Sequence, residues 1–390
     1  MDPLALNLRH LRAAVAIVAS GSVSAAARAV HVSQPAVTQG IAKLEAQIGQ
    51  QLFERRADGM SPTEAALILA PRADAALRLI NSRQVTGTQI RAFLALASTG
   101  SYAGAAQEMG LSEASLHRAV SDLSLAVGHR VTERRGRGVA LTPRGSSLAR
   151  NFRLASSELR SALAELAVLQ GREVGRIVVG AMPLSRARLL PKVISQFLSR
   201  HPGVDIAIVE GSHAELVGPL REGEIDIMVG AMRPVAPRDL VQRAVFDDHP
   251  CIIARAGHPL TARSHGIVPD DLIRYPWIVP SRGTPLRTQW ATMFEAVGLK
   301  PPHVPIECGS VLMVRQILIE SDFLTLLSTD QVQVELEAGC LAVVGDAPGD
   351  ISRTIGVTTR ADWRPTRLQS VFADLLIEQA LSAAHGRRGD

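Results

Sequence analysis

Apolar positions recur in steps of four, three and four at Val37, Ile41, Leu44 and Ile48, and again at Leu116, Val120, Leu123 and Val127. Each set lies on one face of a helix, with polar side chains opposite. An Ala-rich short helix and a tight turn precede each ladder, and the turns end at Ser33 and Ser112, both good N-caps. Setting Gly21 on Gly100 aligns ASGSVSAAARAVHVS (19–33) with STGSYAGAAQEMGLS (98–112), a period of 79 residues. Gly49 and Gly128 close the ladders; ERR and then MSPTE (60–64) or LTPRG (141–145) follow, a short strand and turn forming a wing. Each copy therefore predicts a winged helix-turn-helix, the second with two extra residues in its wing. A duplicated helical hairpin without a binding role is the alternative.

Two connecting helices are expected. PTEAALILAPRADAALRLI (62–80) reads as a helix interrupted near Pro71. In RGSSLARNFRLASSELRSALAELAVLQ (144–170), Leu148, Phe152, Ala155, Leu159, Leu163, Leu166 and Leu169 form a seam with mixed steps of three and four. That is the pattern of a coiled-coil partner helix, so dimerisation through it is expected; packing on its own domain is the alternative. From Arg176 the texture changes to short apolar runs, IVVGAM, VDIAIVEG, IDIMVGA and CIIARAG, between amphipathic stretches. These predict buried strands between helices, an α/β sheet with parallel pairing.

Composition narrows the function. A chain of 390 residues with 46% hydrophobic residues can bury several cores, and 3% aromatics leaves few platforms for single-stranded nucleic acid. Residues 1–150 hold 17 Lys and Arg against 10 Asp and Glu, and the remainder holds 25 against 27. A basic front joined to a near-neutral back points to polyanion binding in the front alone. Cys251, Cys308 and Cys340 fit no metal or disulfide spacing; Cys308, beside Ser310, reads as a small packed residue rather than a thiol sensor. No signal-peptide pattern opens the chain and no run approaches the ~20 apolar residues of a membrane span, so a soluble cytoplasmic protein is expected, with no membrane partner.

Opposite the first ladder stand Gln34, Ala36, Thr38, Gln39 and Lys43. Glutamine can pair bidentately with adenine, Thr and Ala can touch a thymine methyl, and Lys can hold a phosphate. Pro35 sits in the first helical turn, where its missing N–H costs nothing. Ser33 and the wing residues Arg55 and Arg56 complete the first candidate DNA-binding set. The second copy has Glu113 and Ala114 in place of Gln34 and Pro35, and Arg118 in place of Gln39. Glu113 suits the helix dipole, and could alternatively accept from a cytosine amino group. Arg130, Arg134, Arg135, Arg137 and Arg144 cluster in the second wing, where phosphates pass in a winged helix. The second candidate set is Ser112, Arg118, Arg134, Arg135 and Arg137. We expect copy one to specify sequence and copy two mainly to grip backbone and lengthen the footprint.

In the back half, Pro183, Leu184 and Ser185 follow one predicted strand, and Ser281, Arg282, Gly283 and Thr284 follow another; Gly309, Ser310 and Val311 precede a helix. Helix N-termini and hydroxyls converging on a cleft suit a carboxylate. Simple helix capping is the alternative for each Ser or Thr. No Walker loop, GxSxG elbow, HExxH or strand-linked GxGxxG occurs, so catalysis, a cofactor and a metal are not expected.

The stretch LRHLRAAVAIVASGSVSAAARAVHVSQPAVTQGIAKLEAQIGQQLFER resembles the DNA-binding domain of LysR-type transcriptional regulators. GRIVVGAMPLSRARLLPKVISQFLSRHPGVDIAIVEG and GEIDIMVG resemble that family's effector domain. The resemblance implies a multidomain protein: all-α winged helix-turn-helix units plus an α/β effector domain of two periplasmic-binding-protein-like lobes. It implies double-stranded DNA as partner, a small organic acid as effector, and homodimers or homotetramers. Expected boundaries are 1–62 for the first winged helix-turn-helix, 63–87 for a linker helix, 88–145 for the second unit, 146–173 for the coiled-coil helix and 174–385 for the effector domain. Lobe one would take 176–254 and 347–385, and lobe two 255–346. The family's effector positions fall on Ser185, Thr284 and Ser310, and Phe323 replaces a small residue common in the family. Two departures stand out: a second winged unit is inserted, and Gln39 replaces the usual arginine. An architectural DNA-bridging protein and an α/β enzyme are the rival readings.

Overall fold

Polar side-chain caps cut the first 169 residues into two sets of four helices, the first three of each set matching in length. The computed structural model describes all residues except 57–58, 137, 263–267, 349–350 and 387–390, and the side chains of 55–56, 59 and 382–386 also lie outside the description. The first unit comprises α1 (Leu8–Ser20), α2 (Val23–Val30), α3 (Gln34–Ile48), the hairpin β1 (Phe53–Arg56) and β2 (Gly59–Pro62), and α4 (Glu64–Ile80). The second comprises α5 (Gly87–Thr99), α6 (Tyr102–Met109), α7 (Glu113–Val127), the hairpin β3 (Thr132–Arg135) and β4 (Gly138–Leu141), and α8 (Pro143–Leu169). Ser33 accepts the Ala36 N–H and Ser112 the Ser115 N–H at the starts of α3 and α7. Thr63 and Thr142 do the same for α4 and α8.

These caps correct the wing reading. The two hairpins have the same length, and the threonines correspond, 79 residues apart. The supposed two-residue insertion came from matching the prolines, but Pro62 ends β2 whereas Pro143 opens α8. Nor does Pro71 interrupt α4, which runs through it. The lost N–H is local, while Leu69, Ala70, Ala73 and Ala76 hold the helix down over its length.

The seam on α8 is filled from within the same chain, by α4. Gln50, just past α3 and next to Gln51, whose carbonyl binds the Thr63 hydroxyl at the start of α4, donates to the Leu166 carbonyl near the end of α8. Ser82, just past the end of α4, donates to Ala126 in the second unit, near the start of α8. The two helices therefore run antiparallel. Phe152, Ala155, Leu159 and Leu166 are buried in one apolar cluster with Leu11, Ile17 and Leu44 of the first unit and Ile90, Phe93 and Leu96 of the second. The expected second copy is not what covers this face. Arg72 of α4 ties the pair onward, lying 3.5 Å from Glu158 and 3.6 Å from Glu165 and donating to the carbonyls of Arg364 and Pro365.

Two mixed sheets follow. The first contains β5 (Gly175–Ala181), β6 (Val204–Glu210), β7 (Ile227–Ala231) and β8 (Leu240–Asp248), with helices α9 (Leu189–Arg200) and α10 (His213–Arg221) between strands. The chain then enters the second sheet at β9 (Cys251–Arg255). It continues through α11 (Pro269–Leu272), β10 (Trp277–Val279), α12 (Pro285–Glu295), β11 (Ile306–Glu307), α13 (Val311–Ile319), β12 (Leu324–Leu327), α14 (Gln333–Glu337) and β13 (Leu341–Asp346). It returns to the first sheet at β14 (Arg353–Arg360) and ends in α15 (Arg367–Gly386). Strand orders are β6-β5-β7-β14-β8 and β11-β10-β12-β9-β13. Pairing is parallel among β5, β6 and β7 and among β10, β11 and β12, but β14 and β9 pair antiparallel with both their neighbours. Thus the all-parallel expectation fails at the strands where the chain crosses between lobes. It also moves a boundary: β9, expected in lobe one, belongs to lobe two because it bonds to β12 and β13.

Successive residues of β5 face opposite layers. Ile177 and Val179 meet Val193 and Phe197 of α9 and Phe372 of α15, while Val178 meets Leu216 and Leu220 of α10. Asp226, just before β7, is buried and accepts the Val178 N–H at 2.8 Å. Burial pushes its carboxyl above the usual aspartate range, against opposing pulls from that N–H, Arg360 and Arg160. The folded state therefore binds the proton more tightly than the unfolded one. The group's contribution is full below the ordinary aspartate pKa and is lost as pH rises through the raised value. Asp226→Asn is expected to raise stability at pH 7, with the gain vanishing near pH 3; equal urea midpoints for the two proteins at pH 7 would count against this account.

Candidate nucleic-acid interface and effector cleft

On α3 the ladder of Val37, Ile41 and Leu44 is buried, and Gly40 lies against His10 of α1. Burial, and then Lys43, lower the His10 pKa. Opposite this face, Ser33, Gln34, Pro35, Ala36, Gln39 and Lys43 are exposed. Gln34 donates to the Ser24 hydroxyl of α2, and Thr38 donates to the Gln34 carbonyl at 3.1 Å. Glu45, which sequence reasoning missed, accepts the backbone N–H groups of Leu52 (2.7 Å) and Phe53 (3.2 Å), fixing the start of the hairpin to α3. Its signal was an acid beside the ladder. The side chains of Arg55 and Arg56, and Arg137 altogether, lie outside the described residues. In the second unit Ser112, Arg118, Arg134 and Arg135 are exposed. His117, in the place of Thr38, stacks on Tyr102 at 4.7 Å.

Between the two sheets opens a cleft of about 1440 Å³, outside the carboxyl ends of β5, β6, β7, β10 and β11. In α/β sheets that is where ligands bind. Pro183, Leu184, Ser281, Gly283, Thr284, Ser310 and Val311 line it. Ser185 and Phe323 do not. The Ser185 hydroxyl is buried and donates to the Met182 carbonyl at 2.8 Å, and Phe323 packs into the core beneath α13. Cys308 packs against the core beneath α13, as expected, and also borders the cleft. Cys251 lies elsewhere, and burial followed by Asp346 pushes its thiol up to about 11.

Among the helices that begin at the cleft, α10, α12 and α13 differ in how they start. Ser310 accepts the Met313 N–H and caps α13. On α10, Glu215 accepts from the Ser212 N–H and hydroxyl, which hold its carboxyl below the usual glutamate range. The Thr284 hydroxyl donates instead to the Ser281 carbonyl at 2.9 Å, so no side chain caps α12. The N–H groups of its first turn are open to an anion.

The sequence model of the LysR substrate binding domain matches residues 170–381. That of the bacterial regulatory helix-turn-helix protein, lysR family, matches residues 8–67 and 88–146. The HTH-type transcriptional regulator GalR of Pseudomonas putida is 31% identical, over 91% of this chain and 92% of its own length. The chain belongs to the LysR family of transcriptional regulators. A second relative, the HTH-type transcriptional regulator PcaQ of Agrobacterium fabrum, is 28% identical over 96% of its length but only 76% of this chain. Full-length OxyR of Pseudomonas aeruginosa shares the fold, with a TM-score of 0.56 and 22% identity over 75% of this chain and 97% of its own.

As a LysR regulator the protein binds DNA and carries a C-terminal effector-binding domain. Its cleft holds arginines that sequence reasoning did not single out. Arg186 pairs with Glu210, Arg188 lies 3.8 Å from Asp330, and Arg315 pairs with Glu335. Arg233 has no carboxylate partner among the described residues; with burial as the larger cause, it depresses the pKa of His213. Arg353 binds buried Asp248 at 2.8 Å through Nε, and its Nη2 has no partner among the described residues. The available signal was position: Arg233 comes just after β7, and Arg353 opens β14. Among the described residues no helix is long and apolar enough to cross a membrane, and no three His, Cys, Asp or Glu could hold a metal.

Proposed function

We propose that this cytoplasmic LysR regulator reads promoter sequence with α3, through Gln34, Thr38 and Gln39. Residues 88–145 act as a second winged helix-turn-helix that holds phosphates through Arg134 and Arg135. A small carboxylate in the cleft shifts the lobes, and with them the DNA held by a homodimer or homotetramer. The observation carrying the DNA reading is the polar face of α3, where Gln34, Gln39 and Lys43 are exposed and Thr38 half-buried, opposite the buried Val37, Ile41 and Leu44. The uncapped start of α12 and the unpaired Arg233, both lining the same cleft, support an anionic effector.

Gel-shift competition with the protein's own upstream region tests the first part. Gln34→Ala/Gln39→Ala is expected to cut preference for that duplex over random duplex by roughly ten- to a hundredfold, with random binding retained. Undiminished preference would sink it. Calorimetric titration with aromatic and sugar-derived acids tests the second. Arg233→Ala should weaken the best binder about tenfold, and no saturable binding by any acid would favour a DNA-bridging protein instead.

A further inference from the structure

The contacts between the two helical units are reciprocal. Arg12 of α1 donates to the carbonyl of Ser82, in the segment leading into the second unit. Arg91, 79 residues later on α5, binds Asp2 at 3.0 Å, in the segment leading into the first. Asp2 and Ser82 hold neighbouring places in the repeat. Leu6 and Val85, again 79 apart, are both buried in the shared cluster. Gly87 at the start of α5 lies so close to the Leu4 carbonyl that a Cβ would sit 2.0 Å from it. The helices α4 and α8 cross antiparallel between the units. Contacts in which i meets j and the equivalent of j meets the equivalent of i are the mark of a two-fold interface. In most proteins such an interface joins two chains.

Resting on the DNA reading above, we propose that one chain is a covalent pseudo-dimer that occupies a whole operator element by itself. The same approximate two-fold relates α3 to α7. It sets them on two half-sites of one duplex face, about one helical turn or a multiple apart. The two faces are not alike: Gln34, Thr38, Gln39 and Lys43 are answered by Glu113, His117, Arg118 and Asp122. The element is therefore asymmetric, with a strongly read half under α3 and a different half under α7. The basic wing residues Arg134 and Arg135 compensate for the acids that α7 carries.

Selection from a random duplex library with the full-length protein tests this, followed by footprinting and native mass spectrometry on a duplex holding one selected element. Expected is a non-palindromic element bound by one chain. Gln39→Ala should alter selection in one half only. Arg118→Ala should weaken binding roughly tenfold and shorten protection on the other side only. Both residues are exposed, and unchanged thermal unfolding confirms that the variants fold. An inverted repeat held by two chains, with both halves altered by Gln39→Ala and neither by Arg118→Ala, overturns the pseudo-dimer and leaves the proposed function standing. If no element is selected, both fall.

Discussion

Phe152→Ala is expected to cost about 3–5 kcal/mol and to destabilise both helical units together, although the residue belongs to only one of them. Phe152 is fully buried on α8 and meets Phe93 of α5 edge to face, with ring centroids 6.1 Å apart. Truncation removes a large apolar surface and that edge contact, and leaves a void that rigid neighbouring helices cannot collapse into. The loss spreads because the first unit's Leu11 and Leu44 lie in the same cluster as the second unit's Leu96 and Leu123. Urea unfolding followed by hydrogen exchange should show amides of α1 and α5 losing protection at one lowered midpoint. If α1 kept its midpoint while α5 melted early, the shared core would be wrong.

The second large effect lies where the chain returns from one lobe to the other. Arg353→Met is expected to lower stability by about 3–5 kcal/mol, because Asp248 is 1% exposed and would be left charged without its guanidinium. Asp248 ends β8 and Arg353 begins β14, so the pair pins the start of the outward crossing to the end of the return. Adding Asp248→Asn to the variant removes the stranded charge and should restore more than half of the loss. A double variant no more stable than Arg353→Met alone would show that packing of the arginine stem, not charge, is what matters. Thermal melts of the three proteins in one buffer decide it.

The nearness of Asp248 to Arg353, separated by a whole lobe, had no trace in the sequence. Nor did the use of the hydroxyls at the cleft. Ser185, Thr284 and Ser310 look alike in sequence, each near a strand end. In the structure one donates to Met182 and is buried, one donates to Ser281 and leaves its helix uncapped, and one caps its helix. These differences depend on backbone angles over two or three residues and on what packs behind them. By contrast, the exposure of Gln34, Gln39 and Lys43 on α3 was legible, since periodicity alone separates the two faces of that helix.

What the sequence determined by itself was local. The ladders, the serine caps and the glycines at φ of 66° and 73° that end α1 and α3 are settled within one or two turns of chain, by steric and hydrogen-bonding rules that need no distant partner. Only the tertiary structure decided what covers α8, which sheet takes β9 and which arginine faces the cleft without a carboxylate. An apolar seam specifies that it must be buried, not by whom. With a second, complementary helix on the same chain, α4 is always at hand, whereas another chain must first be met in solution.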